Sequence, residues 1–123
     1  MGFVCVRGAI TVNNNTKEEI YSATKVMLNE ILKENEINID NIISINFSMT
    51  KDLDAAYPAV AAREIGITKA ALMCFAELYV EGSLAKCIRV GVLVEQEGLT
   101  RDNVQNVYLG NAKVLRPDLV KEK

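Results

Sequence analysis

The sequence predicts a mixed α/β (α+β) fold, a mixed β-sheet covered by one long helix, and three observations predict it. The run FVCVRGAITV at residues 3–12 is rich in β-branched side chains and stops at three consecutive asparagines. Residues 16–34 carry the one sustained helical period in the chain. Residues 41–49 and 86–95 return to strand-type patterns.

Each element follows from local chemistry. Asn13, Asn14 and Asn15 are turn formers that end the first strand. Thr16 followed by Glu19 has the capping-box spacing, and Ile20, Ala23, Met27 and Ile31 then recur at helical intervals. Lys17, Glu18, Lys25 and Glu30 form the solvated face of that helix. In the second strand Ile43, Ile45, Phe47 and Met49 alternate with Ser44, Asn46 and Ser48. Tyr57-Pro58 opens AVAAREI and Gly66 closes it, a short helix with proline at its start and glycine at its end. Residues 69–77, KAALMCFAE, suit helix or strand by propensity, and the flanking Gly66 and Gly82 favour a strand. KCIRVGVLVE, residues 86–95, is the next strand. LTRDNV, residues 99–104, reads as a helical turn capped by threonine, and VYLGNAKVL as extended segments before Arg116-Pro117.

At 123 residues, half of them hydrophobic, the chain has the length of one domain spanning 1–123 and enough apolar mass for a core. Net charge is −2 and the fourteen basic residues are scattered, which disfavours nucleic acid. The apolar runs are strand-sized and follow no charged leader, so neither a membrane span nor a signal peptide is expected and the cytoplasm is the expected compartment. Cys5, Cys74 and Cys87 lack CxxC spacing and read as free thiols rather than a disulfide or zinc framework. The sequence contains no histidine, which excludes Ser-His and Cys-His nucleophile pairs and histidine-ligated metals. Chemistry here falls to carboxylates, arginines, tyrosines, thiols or lysines.

Strand parity sorts the polar residues. On the 86–95 strand Ile88, Val90, Val92 and Val94 share one face, and Cys87, Arg89, Gly91 and Leu93 the other. The first strand repeats the pattern, with Val4, Val6, Gly8, Ile10 and Val12 opposite Phe3, Cys5, Arg7, Ala9 and Thr11. An arginine among small residues needs an anion or water. One such arginine is commonly a structural ion pair or solvated; two on matched strands favour an anion pocket, since guanidinium forks bind carboxylates. Glu77 is the candidate partner, either in a salt bridge to Arg7 or Arg89 or as acceptor for a ligand hydroxyl. Cys74, three residues earlier, has the opposite parity, and a lone thiol is commonly a small core residue. Tyr108 packs at an edge or aims its hydroxyl at a carboxylate; Arg63 and Arg116 are solvated or rim a pocket.

Together VRGAITV, T-x-E-E-I, D-L-D-A-A-Y-P-A with A-R-E, the Cys74-x-x-Glu77 spacing, KCIRV, VYL and VLRPDL resemble, in order over residues 6–119, the AroH-type bacterial chorismate mutases. That resemblance implies a homotrimer of pseudo-α/β barrels with active sites in clefts between neighbouring subunits. It implies conversion of chorismate to prephenate by a pericyclic [3,3] rearrangement in aromatic amino acid biosynthesis, with no cofactor and no metal. Carried over residue by residue, Arg89 matches the cation beside the ether oxygen. Arg7 and Tyr108 match the groups holding the enolpyruvyl carboxylate, and Glu77 the acceptor for the ring hydroxyl, with Cys74 at the same end. Tyr57, Arg63 and Leu115 match the pocket wall, and Arg116 the segment closing the mouth. The chain departs from the family pattern at Tyr57, where phenylalanine is usual, at Val60, where lysine is usual, and at Met73, where a small polar residue is common. The alternatives are a RidA-like imine deaminase and a non-catalytic trimer that binds a carboxylate.

Overall fold

The computed structural model describes residues 2–116. β1 (Phe3–Thr11) leads into α1 (Lys17–Glu34), followed by β2 (Ile42–Met49), α2 (Pro58–Glu64), β3 (Ala71–Ala76), β4 (Cys87–Glu95) and β5 (Val107–Leu109). The five strands form one sheet in the order β3-β2-β4-β1-β5. β4 is antiparallel to both β1 and β2, while β3 and β5 run parallel to β2 and β1 at the two edges.

α1 begins where the capping spacing places it. Thr16 Oγ1 accepts from the Glu19 amide at 3.2 Å, and the Glu19 carboxylate accepts from the Asn13 and Asn14 amides at 3.0 Å each. These hydrogen bonds, the Asn14 side chain foremost, hold the Glu19 carboxyl below the usual glutamate range. Ile20, Thr24, Met27, Leu28 and Ile31 are the buried stripe of the helix. They pack on Val4, Val6, Ile10, Ile45, Phe47, Ile88, Val90, Val92 and Val94, the β-branched parity of the three central strands. Contact is close at Gly8, where an added Cβ would lie 2.7 Å from Ile31 Cδ1 and 3.1 Å from Val90 Cγ2. At its other end α1 is tied to the approach to β5: Asn35 accepts from the Gln105 amide at 2.7 Å and donates to the Gln105 carbonyl at 2.9 Å.

α2 packs against α1, fastened at the surface by Lys25 Nζ to Glu64 Oε1 at 2.8 Å. Residues 99–104 form the expected turn, with the Val104 amide bonded to the Thr100 carbonyl at 3.0 Å and Thr100 Oγ1 accepting from Asn103. The stretch after β5 departs from expectation. Only VYL is extended, and Gly110–Val114 coils into a 3-10 helix. Gly110 at φ 61° turns the chain there, where a Cβ would lie 2.6 Å from Thr11 Oγ1, and that hydroxyl accepts from the Asn111 amide at 3.0 Å.

With both helices on one side, the opposite face of the sheet is open. Phe3, Met73 and Phe75 are more than half or close to half exposed on that face, and Leu78, Tyr79 and Val80 are exposed just beyond β3. Among the described residues no helix is long and apolar enough to cross a membrane.

Candidate active site

Backbone register sets the polar residues of the open face in rows. Ser48 pairs with Arg89, Arg89 with Ala9, and Ala9 with Tyr108, one row across β2, β4, β1 and β5. In the next row Asn46 pairs with Gly91 and Gly91 with Arg7. The residues between these polar side chains, Ala9 and Gly91, are small: Ala9 is covered by Tyr108 and Ala112, whereas Arg7 is exposed and Arg89 lines a pocket. Opposite-face residues Ile88, Val90 and Val92 are buried and hold β4 in place.

Glu77 extends the parity of Met73 and Phe75 and reaches this same face. Its amide donates to the Met49 carbonyl at 3.0 Å, adding one rung to the β2–β3 ladder. Its Oε1 accepts from Ser48 Oγ at 2.5 Å, and its Oε2 lies 3.6 Å from Arg89 Nη1. Glu77, Arg89, Cys87, Leu84 and Leu115 line a pocket of about 230 Å³. Tyr108, buried with Ala9, Cys87 and Ala112, floors the neighbouring patch, with Leu84 and Leu115 packed on it. Beyond Glu77 a second hollow of about 260 Å³ is lined by Asp52, Leu78 and Ser83, with Lys51 Nζ 3.6 Å from the Tyr79 ring centroid.

Two thiols are shaped by this setting. Burial pushes Cys87 up to about 11, opposed by the Arg89 charge and reinforced by Glu77 and Asp52. Cys5, beside Arg7 on β1, is raised by partial burial, with the Arg7 charge acting the other way. The start of β4 is clamped to the end of β2. The Asp52 carboxylate accepts from the Lys86 amide at 3.0 Å and from Thr50 Oγ1 at 2.5 Å, and Thr50 Oγ1 in turn accepts from the Cys87 amide at 3.0 Å. This clamp stabilises Lys86 at φ 51°, a left-handed conformation disfavoured for a side chain with a Cβ.

The structure thus brings together Arg7, Arg89, Glu77, Tyr108 and Leu115 on one side of the sheet. It does not bring Tyr57, Arg63 or Cys74 to them within one chain. Tyr57 is the exposed N-cap of α2, lining a separate hollow of about 440 Å³ with Lys17 and Tyr21. Arg63 is exposed in the last turn of the same helix. Cys74 pairs in register with Phe47, a buried residue of the helix-side parity, and is itself exposed at the sheet edge. Arg116 is the last described residue and is half-buried; the Pro117 to Leu119 part of the VLRPDL motif lies outside the described residues. Ser48, Thr50 and Asp52 are site neighbours that pattern reading passes over. Ser48 is one of three alternating polar residues on β2, and only pairing opposite Arg89 distinguishes it from the other two. No cluster of three potential metal ligands occurs among the described residues.

Residues 3–119 match the family model for chorismate mutase type I. The chain belongs to that family. Chorismate mutase AroH of Bacillus subtilis (strain 168) is 41% identical over 115 residues, covering 93% of this chain and 90% of that protein. Chorismate mutase AroH of Thermus thermophilus is 42% identical over 115 residues, 93% of each chain. A solved chorismate mutase from Clostridium thermocellum superposes with a TM-score of 0.88 at 49% identity, over 90% of this chain and 98% of that one. The type I match spans all five strands and both helices, and the imine deaminase alternative has no support beside it.

Proposed function

We propose that the protein is a cytoplasmic chorismate mutase that converts chorismate to prephenate in phenylalanine and tyrosine biosynthesis, as one domain over residues 1–123 assembled into a homotrimer. The observation that carries the reading is the row of Ser48, Arg89, Ala9 and Tyr108, with Arg7 and Glu77 beside it, on the open sheet face of a chain of this family.

The reaction is intramolecular. The ether C–O bond breaks while a C–C bond forms across the same six-atom array, so no atom leaves and no proton must move. An enzyme for it needs to hold a dianion in its folded conformer and to stabilise the negative charge that grows on the ether oxygen. Arg89 serves the second need with a charge that does not titrate. Arg7 has no carboxylate partner among the ion pairs of the described residues, which suits it to hold the enolpyruvyl carboxylate together with the Tyr108 hydroxyl. Glu77 accepts the ring hydroxyl, with Cys74 at that end. Immobilising one conformer contributes a further share of the rate.

Two features support the assembly. Met73 and Phe75 on edge strand β3, with Leu78 and Val80 just beyond it, leave exposed apolar side chains along one edge of the sheet, of the kind that marks an interface. Tyr57, Arg63 and Cys74 lie away from the Arg89 pocket of their own chain, so each pocket wall is completed by a neighbouring subunit, with Leu115 and Arg116 at the mouth. Loss of chorismate absorbance on adding purified protein tests the activity, and sedimentation equilibrium tests the trimer. No acceleration over the spontaneous rearrangement refutes the reaction; a monomer with full activity refutes the shared site.

A further inference from the structure

We infer that Ser48 is a positioning residue that holds the Glu77 carboxylate off Arg89 and so keeps both groups open to substrate. The inference rests on the proposed reaction and concerns a residue outside the set carried over from the family. Glu77 lies one residue past the end of β3, at the start of the irregular segment 77–86, and its next neighbours Leu78, Tyr79 and Val80 are exposed. Among the described residues the polar partners of its carboxylate are Ser48 and Arg89, both across the sheet. Ser48 Oγ donates to Oε1 at 2.5 Å; Arg89 Nη1 stands 3.6 Å from Oε2.

These two distances are the informative observation. A guanidinium and a carboxylate free to approach each other close to about 2.7–2.9 Å and commonly engage both oxygens. Here one oxygen is taken by a hydroxyl on β2, and the other stays short of a full ion-pair bond. Ser48 and Arg89 are register partners on adjacent strands, so the serine is placed to draw the carboxylate toward β2. The rest of the Arg89 fork then faces the pocket. Without the hydroxyl, Oε1 loses its donor and the carboxylate can swing into a bidentate pair with Arg89. That pair neutralises the charge needed at the ether oxygen and occupies the acceptor needed by the ring hydroxyl. In the bound complex that pair must open on the way to the transition state, so its cost falls on turnover.

Ser48→Ala is expected to lower kcat roughly 10- to 100-fold, the factor that one hydrogen bond to a charged group corresponds to. KM changes less, because Arg89 acts chiefly on the transition state. Ser48→Thr keeps the hydroxyl on a side chain that suits a strand and restores kcat to within about threefold. In a Glu77→Gln background the same Ser48→Ala change costs less than about threefold, because the carboxylate it positions is gone. A crystal structure of S48A is expected to show the Arg89–Glu77 pair closed to about 2.8 Å. Wild-type turnover in S48A, an equal loss in both backgrounds, or a pair still at 3.6 Å in the S48A crystal would each overturn the role. Absence of turnover in the unmodified protein overturns the proposed reaction and this role with it, whereas normal turnover with an unaffected S48A overturns this role alone.

Discussion

Removing the Arg89 guanidinium should separate stability from catalysis. In Arg89→Ala the fold loses one ion pair, 3.6 Å long, between side chains that are 43% and 23% exposed. A pair so loose and so wet contributes at most about 1 kcal/mol, equivalent to no more than about 5 °C in Tm for a chain of this length. The backbone of β4 is held independently by Ile88, Val90 and Val92 beneath it and by strands on both sides. Turnover loses far more. A fixed donor aimed at developing negative charge is worth about 2.7–4 kcal/mol, so kcat falls roughly 10²- to 10³-fold. Arg89→Lys keeps the charge as a point without the planar fork and should fall between the two. The assay is the initial rate of chorismate loss, alongside calorimetry and sedimentation on the same samples. Near-normal kcat in Arg89→Ala would remove the proposed role of the guanidinium, as would a rate that declines only in step with unfolding.

Other consequences can be checked on stability and pH. Gly8→Ala forces a methyl to 2.7 Å from Ile31 Cδ1 and 3.3 Å from Met27 Cγ, and overpacking of that kind costs about 1–3 kcal/mol; calorimetry should show Tm lowered by several degrees, and an unchanged Tm would mean that α1 yields freely. Below pH 9 the Cys87 thiol keeps its proton whether folded or not. Between its unfolded value of 9.0 and its folded value of about 11, the unfolded chain releases a proton that the native state retains. Stability therefore falls by about 2–3 kcal/mol across that window, and urea titrations should show the fall shrinking in Cys87→Ala. With no histidine in the chain, kcat should be nearly flat from about pH 6 to 8, and a steep limb near neutrality in the rate profile would mean that a proton transfer has been overlooked.

Much of this architecture is legible in the sequence because local signals agree with tertiary ones. The Thr16 and Glu19 spacing, the Ile20, Met27 and Ile31 stripe and the alternation on β1 and β4 each name a buried face, and the same residues form the core. Parity also put Arg7 and Arg89 on the side away from α1 and set Cys74 apart from Glu77. Strand order was not legible. Nothing in KCIRVGVLVE says that it inserts between β1 and β2, and that insertion makes Ser48 a neighbour of Arg89 and Ala9 the spacer before Tyr108. GNAKV misled the pattern reading because its course depends on Gly110 meeting Thr11, a contact between residues nearly a hundred positions apart. The loose Arg89–Glu77 pair is likewise a matter of distances, which composition does not encode.

The placement of Arg63 on α2, across the sheet from Arg89, gives the proposed assembly a genetic signature. If each cleft borrows Arg63 from one subunit and Arg89 from the next, a chain damaged at either arginine still carries the other half of a site intact. Two separately disabled proteins, unfolded together and reassembled, would then recreate undamaged clefts in about one site of four by random mixing of subunits. Inactivity in such a protein would belong to the population of chains rather than to any single one, and a mixture of two losses would become a partial gain.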